Sequence, residues 1–274
     1  MMTAPGRNAP GVLAALLEAR TGQQLASDRA WRLDTSLKPL LRELGLDTLD
    51  QLVHDLLAGN DALLGDRIID ALLNQESSFF RDAAAFDLID KALRELASDR
   101  RARIWSAGCS TGQEPLSLAM LLAERADAPA FEILATDVSE GALARARTGR
   151  FTQFEIQRGL PIRRMMRWFD AADPDWVAKP ELMRHLSFRR VNLVADEPPA
   201  GRFDLVMCRN VLLYLAPAQR EAVLDRLARA LRPGGLLVLG AGETVIGQTS
   251  AFAPSARFRG LYEAAAPRAR RAAA

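Results

Sequence analysis

The chain has 274 residues, 49% of them apolar and 26% charged, with a formal charge of +2, two cysteines and two histidines. That is the make-up of a soluble globular protein with ample core. It excludes a disulfide framework, a histidine-rich zinc site and, with no apolar run near ~20 residues, a membrane span. Arg268, Arg270 and Arg271 carry the excess charge, so no general nucleic-acid surface is expected.

Residues 1–10 predict disorder, and Val12–Leu73 shows only helical patterns. Val12–Leu17, bounded by Glu18, predicts an amphipathic helix rather than a signal peptide, which points to a reducing cytoplasm. A second helix is expected over Asp28–Leu44, kinked or split at Pro39. Leu49, Leu52, Val53, Leu56 and Leu57 form one apolar stripe, with Asp47 as the expected N-cap and Gly59 as the stop. Leu64, Ile68 and Leu72 repeat the pattern, so a small helical bundle is expected. Its charge is net acidic.

The periodicity breaks at residues 74–81, Asn-Gln-Glu-Ser-Ser-Phe-Phe-Arg. Phe79 and Phe80 predict core plugs in an interhelix turn, followed by a helix with Phe86, Ile89, Leu93 and Leu96 on one face. Arg103–Ala107 predicts a buried strand, then a loop, Gly108-Cys109-Ser110-Thr111-Gly112, and a helix starting near Pro115. Strand, glycine loop and helix form the nucleotide-site element of a doubly wound sheet. No lysine follows Gly112, and Glu114 lies just beyond it, so the loop is no phosphate cradle and suits a ligand with positive charge. A dinucleotide, S-adenosylmethionine (SAM) or a bare tight turn all remain open on this stretch alone.

Phe131–Thr136 predicts the second strand, and Asp137 at its tip suits a ribose hydroxyl or a helix cap. Gly141–Gly149 is expected to be a helix, and residues 150–186 an insertion of a helix and short strands. Leu186–Val191, Phe203–Met207 and Leu236–Gly240 predict further strands, with a sharp turn at Arg232–Gly235, a helix opening at Pro217 and a last strand at Phe258–Glu263. Cys109 and Cys208 are expected to be buried, His54 and His185 to lie on the surface, and the Ala/Arg-rich stretch 263–274 to be disordered. Alternating strands and helices give an α/β doubly wound sheet whose ligand rim gathers Gly108, Asp137, Asn192 and Asn210.

Five motifs in order, Gln75–Arg81, Ile104–Pro115, Ala135–Asp137, Val191–Leu193 and Cys208–Tyr214, resemble those of the CheR-type chemoreceptor methyltransferases. The resemblance implies a class I SAM-dependent methyltransferase fold and a division into a helical domain (1–74), a linker with its helix (75–98) and a Rossmann-like domain (99–274) with a small β-subdomain inserted at about 150–187. It implies transfer of a methyl group from SAM to receptor glutamates, giving γ-methyl esters and S-adenosylhomocysteine. Arg81 and Tyr214 would be catalytic. Gln75, Ser77, Arg81, Ala107, Gly108, Glu114, Asp137, Asn192, Leu193, Arg209 and Asn210 would hold the cofactor, Glu114 at its ammonium, Asp137 at the ribose, and Asn192 and Leu193 at the adenine. The sequence leaves open whether Arg81 holds the substrate or the cofactor carboxylate.

The partner implied is the cytoplasmic domain of methyl-accepting chemoreceptors, met by a cytoplasmic monomer; association with receptor arrays stays open. Two departures stand out. Gln75-Glu76-Ser77 replaces the family's Asn-Glu-Thr, and residues 160–187 lack the glycines of members that dock to a receptor-tail pentapeptide, so tail docking is not expected. A SAM- or nucleotide-binding sensor, or a methyltransferase for another protein or small molecule, is the alternative.

Overall fold

The structure is a computed structural model describing residues 9–25, 31–96, 100–126 and 130–265. Four helices come first: α1 (Ala9–Thr21), α2 (Trp31–Leu44), α3 (Leu49–Ala58) and α4 (Leu64–Leu72). Their apolar faces converge on Leu13, Leu17, Leu37, Leu52, Ile68 and Leu72. Helix α1 starts at Ala9, earlier than the sequence suggested, and residues 1–8 lie outside the described residues. The expected start of α2 at Asp28 also lies outside them. Pro39 does not split α2, which continues for five residues beyond it. The N-cap of α3 is Thr48 rather than Asp47: its hydroxyl accepts from the Gln51 N–H, and the Gln51 side chain accepts in return from the Thr48 N–H. This reciprocal box satisfies two orphan donors at once. Thr48→Ala is expected to cost about 1 kcal/mol, read as a lower urea midpoint with the slope unchanged. Gly59, left-handed at φ +70°, stops the helix as expected.

Helix α5 (Ala83–Leu96) leads to β1 (Ala102–Ala107), α6 (Gln113–Ala123), β2 (Phe131–Asp137) and α7 (Glu140–Thr148). Then come β3 (Arg150–Thr152), α8 (Gln153–Gln157), α9 (Ile162–Trp168), β4 (Phe169–Ala172), β5 (Asp175–Ala178) and α10 (Pro180–Met183). The chain closes with β6 (Leu186–Arg190), β7 (Phe203–Cys208), α11 (Pro217–Ala230), β8 (Leu231–Leu239), β9 (Phe252–Pro254) and β10 (Tyr262–Ala264).

Seven strands form the main sheet in the order β6-β2-β1-β7-β8-β10-β9. All neighbours are parallel except β10, which is antiparallel to β8 and β9. Strand order reverses between β1 and β7, and such a switch point opens a crevice beyond the carboxyl ends of the strands. This is the class I methyltransferase arrangement. A separate antiparallel sheet, β3-β5-β4, packs Phe151 and Phe169 edge-on against Phe79.

Three expectations at the end of the chain are corrected: Glu263 and Ala264, expected in a disordered tail, lie in a strand, while residues 266–274 lie outside the described residues. Arg232–Gly235 is a bulge within β8: Phe203 pairs with Leu231 and Leu205 with Leu236, leaving four residues out of register. The last strand is Tyr262–Ala264, because Gly260 turns the chain at φ +102° and keeps Phe258 out of any strand. His185 is half-buried and stacks on Phe131 at 4.1 Å, against the expectation of a surface residue; burial pushes its pKa down. His54 is exposed, and both cysteines are buried.

Apolar cores fill both faces of the main sheet. Helices α5 and α6 cover one with Phe86, Ile89, Leu116 and Met120; α11 covers the other with Val223, Leu224 and Leu227. The helical bundle is fastened over the sheet's carboxyl rim by polar contacts. Asn192 Nδ2 donates to the Arg20 carbonyl at 2.7 Å, the Gly141 N–H to Asp70 at 3.1 Å, and the Gln24 N–H to the Tyr214 carbonyl at 2.8 Å.

Candidate active site

The loop after β1 is locked to β2: the Gly108 and Cys109 N–H groups both donate to the Thr136 carbonyl, at 2.8 and 2.9 Å. Gly108 (φ +83°) needs its glycine twice over, since a Cβ there would lie 2.4 Å from Val211 Cγ2. The loop forms the floor of a cleft at the switch point. Gly108, Glu114, Asp137, Asn192, Leu193, Arg209 and Asn210 line it from the sheet, Gln75, Ser77 and Arg81 from the linker, and Tyr214 from the turn after β7. Thus eleven of the twelve sequence-selected residues share one cavity. Ala107 is the exception: it is fully buried in β1 and does not line the cleft.

Asp137 accepts from the Ser139 N–H at 3.0 Å and the Ser110 N–H at 2.8 Å, one on each oxygen. Each oxygen keeps a lone pair for a ligand hydroxyl. Burial raises its pKa and these N–H groups pull it back. The cap of α7 is Ser139, which accepts from the Ala142 N–H. Burial likewise raises the pKa of Glu114, opposed by Arg209, which pairs with it at 3.2 Å, and by the Ser106 hydroxyl at 2.8 Å.

Arg209 is the hub between loop and linker. Its guanidinium reaches Glu114, Asp82 at 2.6 Å and the Arg81 carbonyl at 2.7 Å, and sits over the Phe86 ring. Its Nε is buried and has no protein partner. Arg81 lies between two left-handed residues, Phe80 (φ +48°) and Asp82 (φ +59°), and its Nη1 donates to the Glu76 carbonyl at 3.4 Å. Backbone this sparsely populated persists only where surrounding contacts impose it. Gln75 joins the linker to both sides, its side chain donating to the Asp70 carbonyl and Ser139 Oγ, its carbonyl accepting from Ser110.

Asn192 spends its side-chain amide on protein: Nδ2 on Arg20, and Oδ1 on the Val194 N–H at 2.9 Å. It joins the bundle to the rim as well as lining the cleft. The Tyr214 hydroxyl accepts from Asn74 Nδ2 at 2.5 Å. Asn74 was given no site role from sequence, although it opens the polar stretch in which the helical periodicity breaks. Glu243 was also missed. It follows Gly240-Ala241-Gly242 after β8 and has no periodic partner, yet its carboxylate accepts from four backbone N–H groups.

The residues present suit a nucleoside bearing a cationic amino-acid arm. Asp137 offers acceptors for ribose hydroxyls, Glu114 a carboxylate for the ammonium, and Arg81 donors for a carboxylate. Among the described residues no cluster suits a metal ion, and no helix is long and apolar enough to cross a membrane.

The family model described as CheR methyltransferase, SAM binding domain, matches residues 75–258. A chemotaxis protein methyltransferase of Vibrio parahaemolyticus is 36% identical over 244 residues, covering 86% of this chain and 89% of the relative. Chemotaxis protein methyltransferase 1 of Pseudomonas aeruginosa is 35% identical over 240 residues, covering 84% and 87%. Among solved structures, the N-methyltransferase NodS of Bradyrhizobium japonicum in complex with S-adenosylhomocysteine matches at 22% identity with a TM-score of 0.36, covering 60% of this chain and 63% of that one. With this family match, SAM is the group that the cleft fits, and the chain belongs to the CheR family of SAM-dependent methyltransferases of chemotaxis.

Proposed function

We propose that the enzyme methylates glutamate side chains on the cytoplasmic domain of chemoreceptors, forming γ-methyl esters, with Arg81 and Tyr214 as its catalytic residues. The observation that carries this reading is the meeting of Arg81, Tyr214, Glu114 and Asp137 in one cleft at the sheet's switch point. SAM supplies an electrophilic methyl carbon on a sulfonium. A solvated glutamate has a pKa near ~4.3 and is already a nucleophile at neutral pH. The chain therefore needs no general base, which agrees with a cleft lined by no histidine.

What the chain supplies is alignment, which contributes roughly 7–11 kcal/mol in favourable cases. The Arg81 guanidinium holds the incoming carboxylate with its fork of donors. The Tyr214 hydroxyl, turned by Asn74, orients the attacking oxygen along the line to the methyl carbon. With SAM bound, transfer of its methyl to the carboxylate oxygen would leave the C–S electron pair on sulfur, so charge would be neutralised and the chain's residues need move no proton. Asp137 holds the ribose and Glu114 the ammonium, while Gln75, Ser77, Leu193, Arg209 and Asn210 complete the walls.

The receptor is met without its tail. Support comes from the hairpin between β4 and β5, which has only Asp173 and Pro174 between its strands and no glycine. The test is transfer of labelled methyl from SAM to chemoreceptor membranes by wild type and Arg81→Ala. Base-labile label in receptor bands, lowered about 100-fold by the substitution, supports the reading. SAM binding without any receptor labelling overturns it.

A further inference from the structure

We propose that Glu243 is a positioning residue for methyl transfer, clamping the turn that carries Tyr214 into its working geometry. The inference rests on the catalytic role proposed for Tyr214. Glu243 comes from a different strand end, four residues after β8. Its carboxylate faces the start of the turn after β7. Oε2 accepts from the Asn210 N–H at 2.7 Å and the Gly240 N–H at 2.8 Å, and Oε1 from the Val211 N–H at 3.0 Å and the Leu213 N–H at 3.3 Å.

The turn needs such a clamp. Asn210 is left-handed at φ +58°, and residues 212–214 form a single 3-10 turn, too short to hold itself. A carboxylate is the one side chain with acceptor capacity for four donors and no donor of its own. The β8 end is shaped for this contact: a Cβ at Gly240 would lie 2.9 Å from Glu243 Oε2 and 3.0 Å from the Asn210 N–H nitrogen. Beyond the clamp, Tyr214 is held from the opposite side by the Gln24 N–H on its carbonyl and by Asn74 on its hydroxyl. Glu243 thus fixes the sheet side of the turn, and the bundle fixes the other.

Glu243→Gln keeps the size and replaces one oxygen with an NH₂ group. Two of the four backbone donors then face another donor. The turn shifts, and Tyr214 with it; a misplacement of about 1 Å costs up to about 100-fold in rate. The experiment is a double-mutant cycle in kcat for labelled methyl transfer, with SAM affinity measured on each variant. The expected result is that Glu243→Gln lowers kcat at saturating SAM about 10- to 100-fold, and that it lowers kcat little further when Tyr214 is already Phe.

Independent, multiplying losses overturn the proposal, as does full activity of Glu243→Gln. Full activity of Tyr214→Phe overturns it too, but there the single variant shows that the catalytic reading has failed rather than the clamp. Amide hydrogen exchange of the wild-type chain tests the clamp even where Glu243→Gln does not fold: slow exchange at Val211 and Leu213 is expected, and solvent-like exchange overturns it.

Discussion

Tyr214→Phe is expected to lower kcat for methyl transfer about 100-fold, with SAM affinity unchanged within about threefold. The substitution removes one oxygen and nothing else that packs. The ring stays in the turn after β7, the carbonyl still accepts from the Gln24 N–H, and Arg81 and Asp137 keep their surroundings. What is lost is the hydroxyl that Asn74 orients from the helical bundle at 2.5 Å. That hydrogen bond is exposed, so its loss costs about 0.5 kcal/mol of stability, too little to account for a large loss of rate by unfolding. A kcat equal to wild type would remove Tyr214 from the chemistry and leave its hydroxyl as a fastening between bundle and sheet.

Gly108→Ala is expected to damage cofactor binding rather than rate alone. The left-handed backbone at φ +83° costs an alanine roughly 1–2 kcal/mol, and its Cβ would meet Val211 Cγ2 at 2.4 Å. The loop cannot retreat easily, because the Gly108 and Cys109 N–H groups are both fixed to the Thr136 carbonyl. Strain therefore passes into the loop floor and, through Val211, into the turn carrying Tyr214. Titration of SAM by calorimetry is expected to show at least about tenfold weaker binding, or 1.4 kcal/mol. Adding Val211→Ala relieves the clash but not the backbone strain, so the double variant recovers part of the affinity. Full recovery would mean that φ at 108 is not a constraint, and no recovery would mean that the clash is not one.

Much of this site is legible in the sequence because local rules and global fold agree there. Arg103 to Pro115 reads as strand, glycine loop and helix, since each residue type serves the same turn. Asp137 is found because strand β2 ends on it. Thr48 was legible as well: Gln51 three residues on marks a capping box, a stronger signal than the acid at Asp47. The other misses have different causes. Asn192 is on the rim as expected, but its amide is committed to a helix 172 residues away, a pairing no local pattern encodes. Asn74 and Glu243 act by hydrogen bonds between distant segments and sit in no periodic stripe. The last strand was misplaced because Phe258 and Leu261 are apolar for packing beside a glycine turn, and burial alone resembles a strand. Side chains serving periodic elements can be read from order and spacing; those that join elements require the fold.

The central claim is that the methyl group ends on a glutamate oxygen of a receptor. Mass spectrometry of receptor peptides after reaction with SAM tests it most directly. The account predicts a one-methylene mass increase on glutamate side chains of the cytoplasmic domain, removed by mild base and formed about 100-fold more slowly with Tyr214→Phe. Methyl groups found on nitrogen or sulfur, or on glutamate at an equal rate with Tyr214→Phe, would contradict it.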